Sequence, residues 1–143
     1  MESALHTPAL ARAEASPRAT TIAFWIVTGL LCLEITFTAY WEVMRLPDAA
    51  QAFTRLGFAN PWFRVELSLA KLAGVVALLL PIVPARLKEW AYAGLAINLV
   101  SAIIAHLSIA DRPAALVPST TTGVLWGLSY FFWRRLQSKQ TGA

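Results

Sequence analysis

Four ionisable residues stand in or beside long apolar stretches of this chain: Glu34 in "LLCLEITF", Glu66 in "VELSLA", Lys71 in "LAKLAG" and His106 in "IIAHLS". Asn98, in "LAINLV", is a fifth polar candidate. Carboxylate, ammonium and imidazole groups held away from water can relay a proton, hold a ligand or pair with one another. A charge at the centre of a bilayer costs ~2.5–3.5 kcal/mol on insertion scales, so such residues usually pair or line a cavity. At a helical rise of ~1.5 Å per residue, Glu34 and Lys71 fall at one depth on neighbouring antiparallel helices. Glu66 and His106 fall together about one turn from the outer end. Two pairs are therefore expected, Glu34 with Lys71 and Glu66 with His106. A buried Glu–Lys pair is more often a structural lock than a proton relay, and a lone histidine near a helix end more often bonds a neighbour than a metal.

Other chemistry finds little support. His6 is the only other histidine and lies in the N-terminal tail, so haem ligation by two histidines across the helices has no second ligand. No nucleophile–base arrangement, phosphate loop or metal-ligand cluster can be read from the motifs. Cys32 is the single cysteine, which excludes an intrachain disulfide and CxxC chemistry. It reads as a small apolar packing residue.

The elements that must position these groups are membrane elements. Of 143 residues 57% are hydrophobic and 14% charged, against ~25% charged in soluble domains. The formal charge of +4 comes from Lys and Arg set mainly between apolar runs. No basic stripe carries interleaved aromatics, so lipid head groups, not nucleic acid, are the expected partner.

The expected fold is all-α: a four-helix transmembrane bundle with a short interfacial helix between spans 1 and 2. Residues 1–20 read as a disordered cytoplasmic tail and 136–143 as a second tail. "ALARAEA" precedes the first apolar run, so that run reads as an uncleaved anchor rather than a signal peptide. Spans of the ~20 residues needed to cross a bilayer are placed at 21–43, 61–83, 87–110 and 114–135. Pro118 either kinks the fourth or marks its start near Val117. Residues 45–59 read as an interfacial helix closed by Gly57. Trp41, Trp62, Trp90 and Trp133 lie near run ends as interfacial anchors. One side carries Arg12, Arg18, Arg86, Lys88, Arg134, Arg135 and Lys139, and the other Arg45, Arg55, Arg64 and Arg112. This excess places both termini in the cytoplasm.

Membrane helices meet where small residues let backbones approach. Span 3 carries Ala91, Gly94, Asn98, Ser101, Ala105 and Ser108 on one stripe. Span 2 carries Ala70, Ala73, Gly74 and Ala77 with Glu66, and span 4 the GxxxG pair Gly123 and Gly127. These are expected packing seams.

"KLAGVVALLLP" (71–81), "LKEWAYAGLAINL" (87–99) and "AHL" (105–107), with "LGFANP" (56–61) and "SY" (129–130), carry a family signature. Over residues 21–134 the chain resembles the DoxX-like family of small bacterial membrane proteins. The resemblance implies a four-helix membrane bundle, mostly of unassigned function. The family's name comes from a membrane subunit linked to quinol-coupled sulfur oxidation. Lys71 and His106 fall on characteristic positions, to which no catalytic role attaches. "TAYWE" departs from the pattern by placing Glu42 where members often carry a lysine.

The function expected is that of a non-catalytic accessory or scaffold subunit in the bacterial inner membrane. It would carry no metal and no cofactor of its own. The alternatives are a redox-complex subunit that binds a quinone through His106 or Glu66, or a conduit for a small solute or proton. A membrane or redox protein, or a second copy of the chain, is left open as partner.

Overall fold

The computed structural model describes residues 16–58 and 60–141. Those residues form α1 (Pro17–Val43), α2 (Pro47–Arg55), α3 (Pro61–Leu79), α4 (Ala85–Ser108), a 3-10 turn (Pro113–Leu116) and α5 (Val117–Thr141). The fold is all-α, with no strand among the described residues. The long helices contact one another in the cyclic order α1, α3, α4, α5. Cross-links at Thr28–Ser129 and Glu34–Thr122 set α1 antiparallel to α5.

The helix boundaries follow local signals, several of which correct the expected ones. Ser16 caps α1, its side chain accepting from Ala19 N at 3.2 Å, with Pro17 in the first turn. The helix therefore begins inside the segment expected to be a tail; residues 1–15, with His6, lie outside the described residues. Asn60 caps α3 by accepting from Trp62 N at 2.9 Å. That helix ends at Leu79 rather than at 83, ahead of Pro81, which has no N–H to continue the ladder. Pro118 starts a helix rather than kinking one: it sits in the first turn of α5, which continues to Thr141, past the expected end at 135.

Three helices close on the same end with the same device. In each, the sixth residue of the turn returns its N–H to the first carbonyl: Leu46 to Trp41, Phe58 to Phe53 and Asp111 to His106. This 6→1 closure needs a left-handed residue just before it. Gly57 takes that place after α2 with φ +86°, as its position in the sequence suggests. After α1 and α4 the place falls to Arg45 (φ 54°) and Ala110 (φ 48°), where a Cβ costs roughly 1–2 kcal/mol.

The interior is narrow. Phe24, Leu31, Cys32 and Ile35 of α1 meet Val75 and Leu78 of α3, Tyr92 and Leu95 of α4, and Trp133 of α5. Cys32 is thus a core residue. Trp133 is too, at 4% exposure, so it is not an interfacial anchor, whereas Trp62 and Trp90 stay more than two-thirds exposed. Large apolar side chains cover the outside, among them Leu33, Phe37, Ile82, Ile97, Ile104 and Leu107. Soluble monomers rarely expose contiguous apolar patches on this scale. Two helices, Arg18–Val43 and Ala85–Ser108, are long and apolar enough to cross a bilayer.

Candidate functional site

Lys71 does not pair with Glu34. Its Nζ donates to Oε1 of Glu42 at 2.6 Å and stands 2.6 Å from Oε2. Ser68 Oγ lies 2.5 Å from that Oε2 and 2.9 Å from the carbonyl of Arg64. The reason is helical phase. Arg64, Ser68, Lys71, Val75 and Leu78 recur at alternating steps of four and three, and all are buried on the face that α3 turns inward. On α1 the buried face runs through Phe24, Thr28, Leu31, Ile35 and Ala39, and its next step is Glu42. Glu34 lies off that face. It meets α5 instead, where Thr122 Oγ1 donates to its Oε1 at 2.6 Å, while its buried Oε2 has no partner.

Glu66 and His106 are not brought together either. Glu66 is exposed. His106 Nδ1 lies 2.9 Å from Asp111 Oδ2. The 6→1 closure of α4 explains this choice, because it sets the side chains of its first and sixth residues side by side. Asp111 Oδ1 also accepts from Arg55 at 2.5 Å and from Arg112 N at 2.9 Å. The end of α2 is thus fastened to the turn after α4.

The hydrogen bond from His106 holds the Asp111 carboxyl below its ordinary range; the Arg112 N–H adds to this, partial burial opposes it, and Arg55 adds the rest. A depressed carboxyl contributes stability above its unfolded value and loses it as pH falls through the folded one. The fastening should therefore hold across neutral and mildly acidic pH and loosen only below about pH 4. Amide exchange of segment 109–116 in micelles, corrected for intrinsic rate, measures this. Loosening between pH 7 and 5 would assign control to another group.

Two further polar ties were not anticipated. Ser129 Oγ of α5 lies 2.7 Å from both Thr28 Oγ1 of α1 and Tyr92 Oη of α4, which joins three helices through buried hydroxyls. Lys88, also buried, donates to the carbonyl of Leu78 at 3.2 Å. That carbonyl belongs to the last turn of α3, where Pro81 has broken the ladder. Arg64 is buried at 5% exposure with Nε unpartnered, its guanidinium 5.9 Å from the Phe53 ring. Counted from the sequence among the basic residues of the outer side, it is an interior charge near the start of α3. Its place in the four-three pattern of α3 was the signal that could have found it.

The small residues behave unlike a uniform packing seam. Gly74 faces Leu95 of α4, which stands 3.6 Å from a Cβ built there. At Gly94, Gly123 and Gly127 nothing lies within 4 Å. Ser101 is exposed, and Ala105 lines an open cavity with it. The stripe on α4 thus floors a groove rather than meeting a helix along its whole length. One cavity of about 270 Å³ there is lined by Lys71, Gly74, Ala91, Gly94 and Asn98. A second of about 250 Å³ adjoins it, with Phe53, Phe63, Ser101 and Ala105. Neither is lined by His106 or Glu66, the residues expected to hold a quinone. No group of three metal-ligating side chains occurs among the described residues.

Neither the curated proteins nor the solved structures returned a match. A family model described as "DoxX-like family" matches residues 26–128. With most of the chain covered and an apolar exterior on the helices, this membrane protein belongs to the DoxX-like family.

Proposed function

We propose that the chain crosses the bacterial inner membrane four times, with both termini cytoplasmic, and serves there as a non-catalytic accessory subunit. The observation that carries this reading is how the interior polar groups are engaged. Glu42, Ser68 and Lys71 tie α1 to α3, and Thr28, Tyr92 and Ser129 tie α1, α4 and α5. These groups hold helices to one another. Spans 2 and 4 are supported by length, since α3 has 19 residues and α5 has 25. Of the three charges of α3, Arg64 and Lys71 face inward and so do not argue against insertion, and the exposed Glu66 lies in the second turn, near the helix end.

An accessory subunit should migrate, when native membranes are solubilised gently at endogenous expression, in a complex that contains a different protein in fixed ratio. Recovery of the chain only as a monomer or as copies of itself would overturn the accessory role. Topology is tested separately. Reporters fused after Ala143 and inserted at Arg112 should mark opposite sides, with the C-terminus inside. The same side for both, or an external C-terminus, would overturn the four-span reading.

A further inference from the structure

We propose that the groove between α3 and α4 binds a neutral apolar molecule through a carbonyl oxygen, with Lys71 and Asn98 as the donors. The two adjoining cavities share Leu67, Gly94 and Asn98 in their walls, so they form one groove along the helix pair. Each alone falls below the usual ~300–1,000 Å³ of a small-molecule site, and together they reach it. Of the polar side chains in this space, Lys71 on the first cavity and Asn98 on both select the ligand, while Ser101 lies in the second. An ammonium has three N–H donors. Lys71 directs its bonds at the two oxygens of Glu42, which leaves a donor for the groove that it lines. The amide of Asn98 lines both cavities and makes no side-chain hydrogen bond among the described residues.

An amide without a partner in an apolar setting is unfavourable, and an acceptor brought by a ligand would relieve it. Charge then sets the class. Glu42 already neutralises Lys71, so an anion entering the groove would add an uncompensated charge at the middle of the apolar zone. A ketone, quinone or ester oxygen meets both donors with no added charge. Its apolar remainder would lie along Ala73, Gly74 and Gly94 toward Phe53 and Phe63. The inference rests on the molecule lying in a bilayer, not on its accessory role or on the number of spans.

The test uses the full chain in nanodiscs and a 4-alkylbenzophenone, a neutral diaryl ketone that crosslinks on illumination. Adducts should map to the facing residues of α3 and α4. Asn98→Leu, which removes the amide at similar volume, should weaken labelling at least tenfold. Gly94→Leu should abolish it by filling the groove. The fold should accept that change, because nothing lies within 4 Å of a Cβ at Gly94 and leucine is the better helix former. Melting of each variant is measured in parallel. Protection by a decyl-benzoquinone or by methyl palmitate would support the site and distinguish a quinone from an acyl ester. Equal protection by palmitate anion would overturn the charge argument, and adducts indifferent to both substitutions would mean bulk lipid only. Disulfides between chains carrying Ala73→Cys, with no probe adduct, would show a second copy in the groove and overturn the proposal.

Discussion

Lys71→Met should be among the most damaging single substitutions in this protein. It leaves the Glu42 carboxylate in the interior with only Ser68 as donor, and removing one partner of a buried pair typically costs ~3–5 kcal/mol. Both side chains are nearly buried, at 9% and 13% exposure, so solvent screening offers little relief. Glu42→Gln should cost less, because a glutamine oxygen still accepts from Lys71 or Ser68 while the ammonium loses its counter-charge. Combining Glu42→Gln with Lys71→Met removes both charges and should recover most of the loss. Unfolding in mixed micelles and accumulation in the membrane both report it. A double variant that merely sums the two single losses would show that the contact contributes nothing of its own. Glu34→Gln serves as the control: it should show no coupling to Lys71→Met, since Glu34 faces α5.

That control marks where sequence reasoning succeeded and where it failed. The all-helical class, the short helix closed by Gly57 and the start of α3 at "NP" were legible, because each depends on residues adjacent in the chain. Pairing across helices was not read correctly, because depth along a helix is only one of its two coordinates. Glu34 and Glu42 differ by two turns, and depth favoured the wrong one. Helical phase, carried forward from Leu31, Ile35 and Ala39, would have chosen Glu42. The same oversight governed α3. Its small residues suggested a seam through Ala70, Ala73 and Ala77, yet the face turned toward α1 carries Arg64, Ser68 and Lys71.

His106 shows a different limit. Its partner lies five residues on, outside the helix, and only the reversal after Ser108 brings the two together. Nothing in "AHLSIAD" requires that turn, since its left-handed position is occupied by Ala110 rather than by glycine. A glycine there would have announced the closure and with it the contact to Asp111. The departure from the family pattern at Glu42 was visible from the start, and it supplies the partner of Lys71.

Ser129 carries the second large effect. Its hydroxyl is fully buried and bridges Thr28 and Tyr92, so one substitution breaks two bonds among three helices. Single interhelical hydrogen bonds in membranes average ~0.6 kcal/mol and reach ~1.7, while an orphaned buried hydroxyl can cost ~1–3 kcal/mol. Ser129→Ala should therefore destabilise by about 2 kcal/mol. Tyr92→Phe breaks one bond and leaves Ser129 paired with Thr28, so about 1 kcal/mol is expected. Thr28→Val should resemble it, because Ser129 keeps Tyr92. The order matters more than the magnitudes, since it follows from Ser129 being the node. Unfolding midpoints of the three variants, measured in one detergent, decide the point. If Tyr92→Phe proved more damaging than Ser129→Ala, packing of the Tyr92 ring among Trp126, Tyr130 and Trp133, rather than the hydroxyl chain, would be what joins α4 to α5.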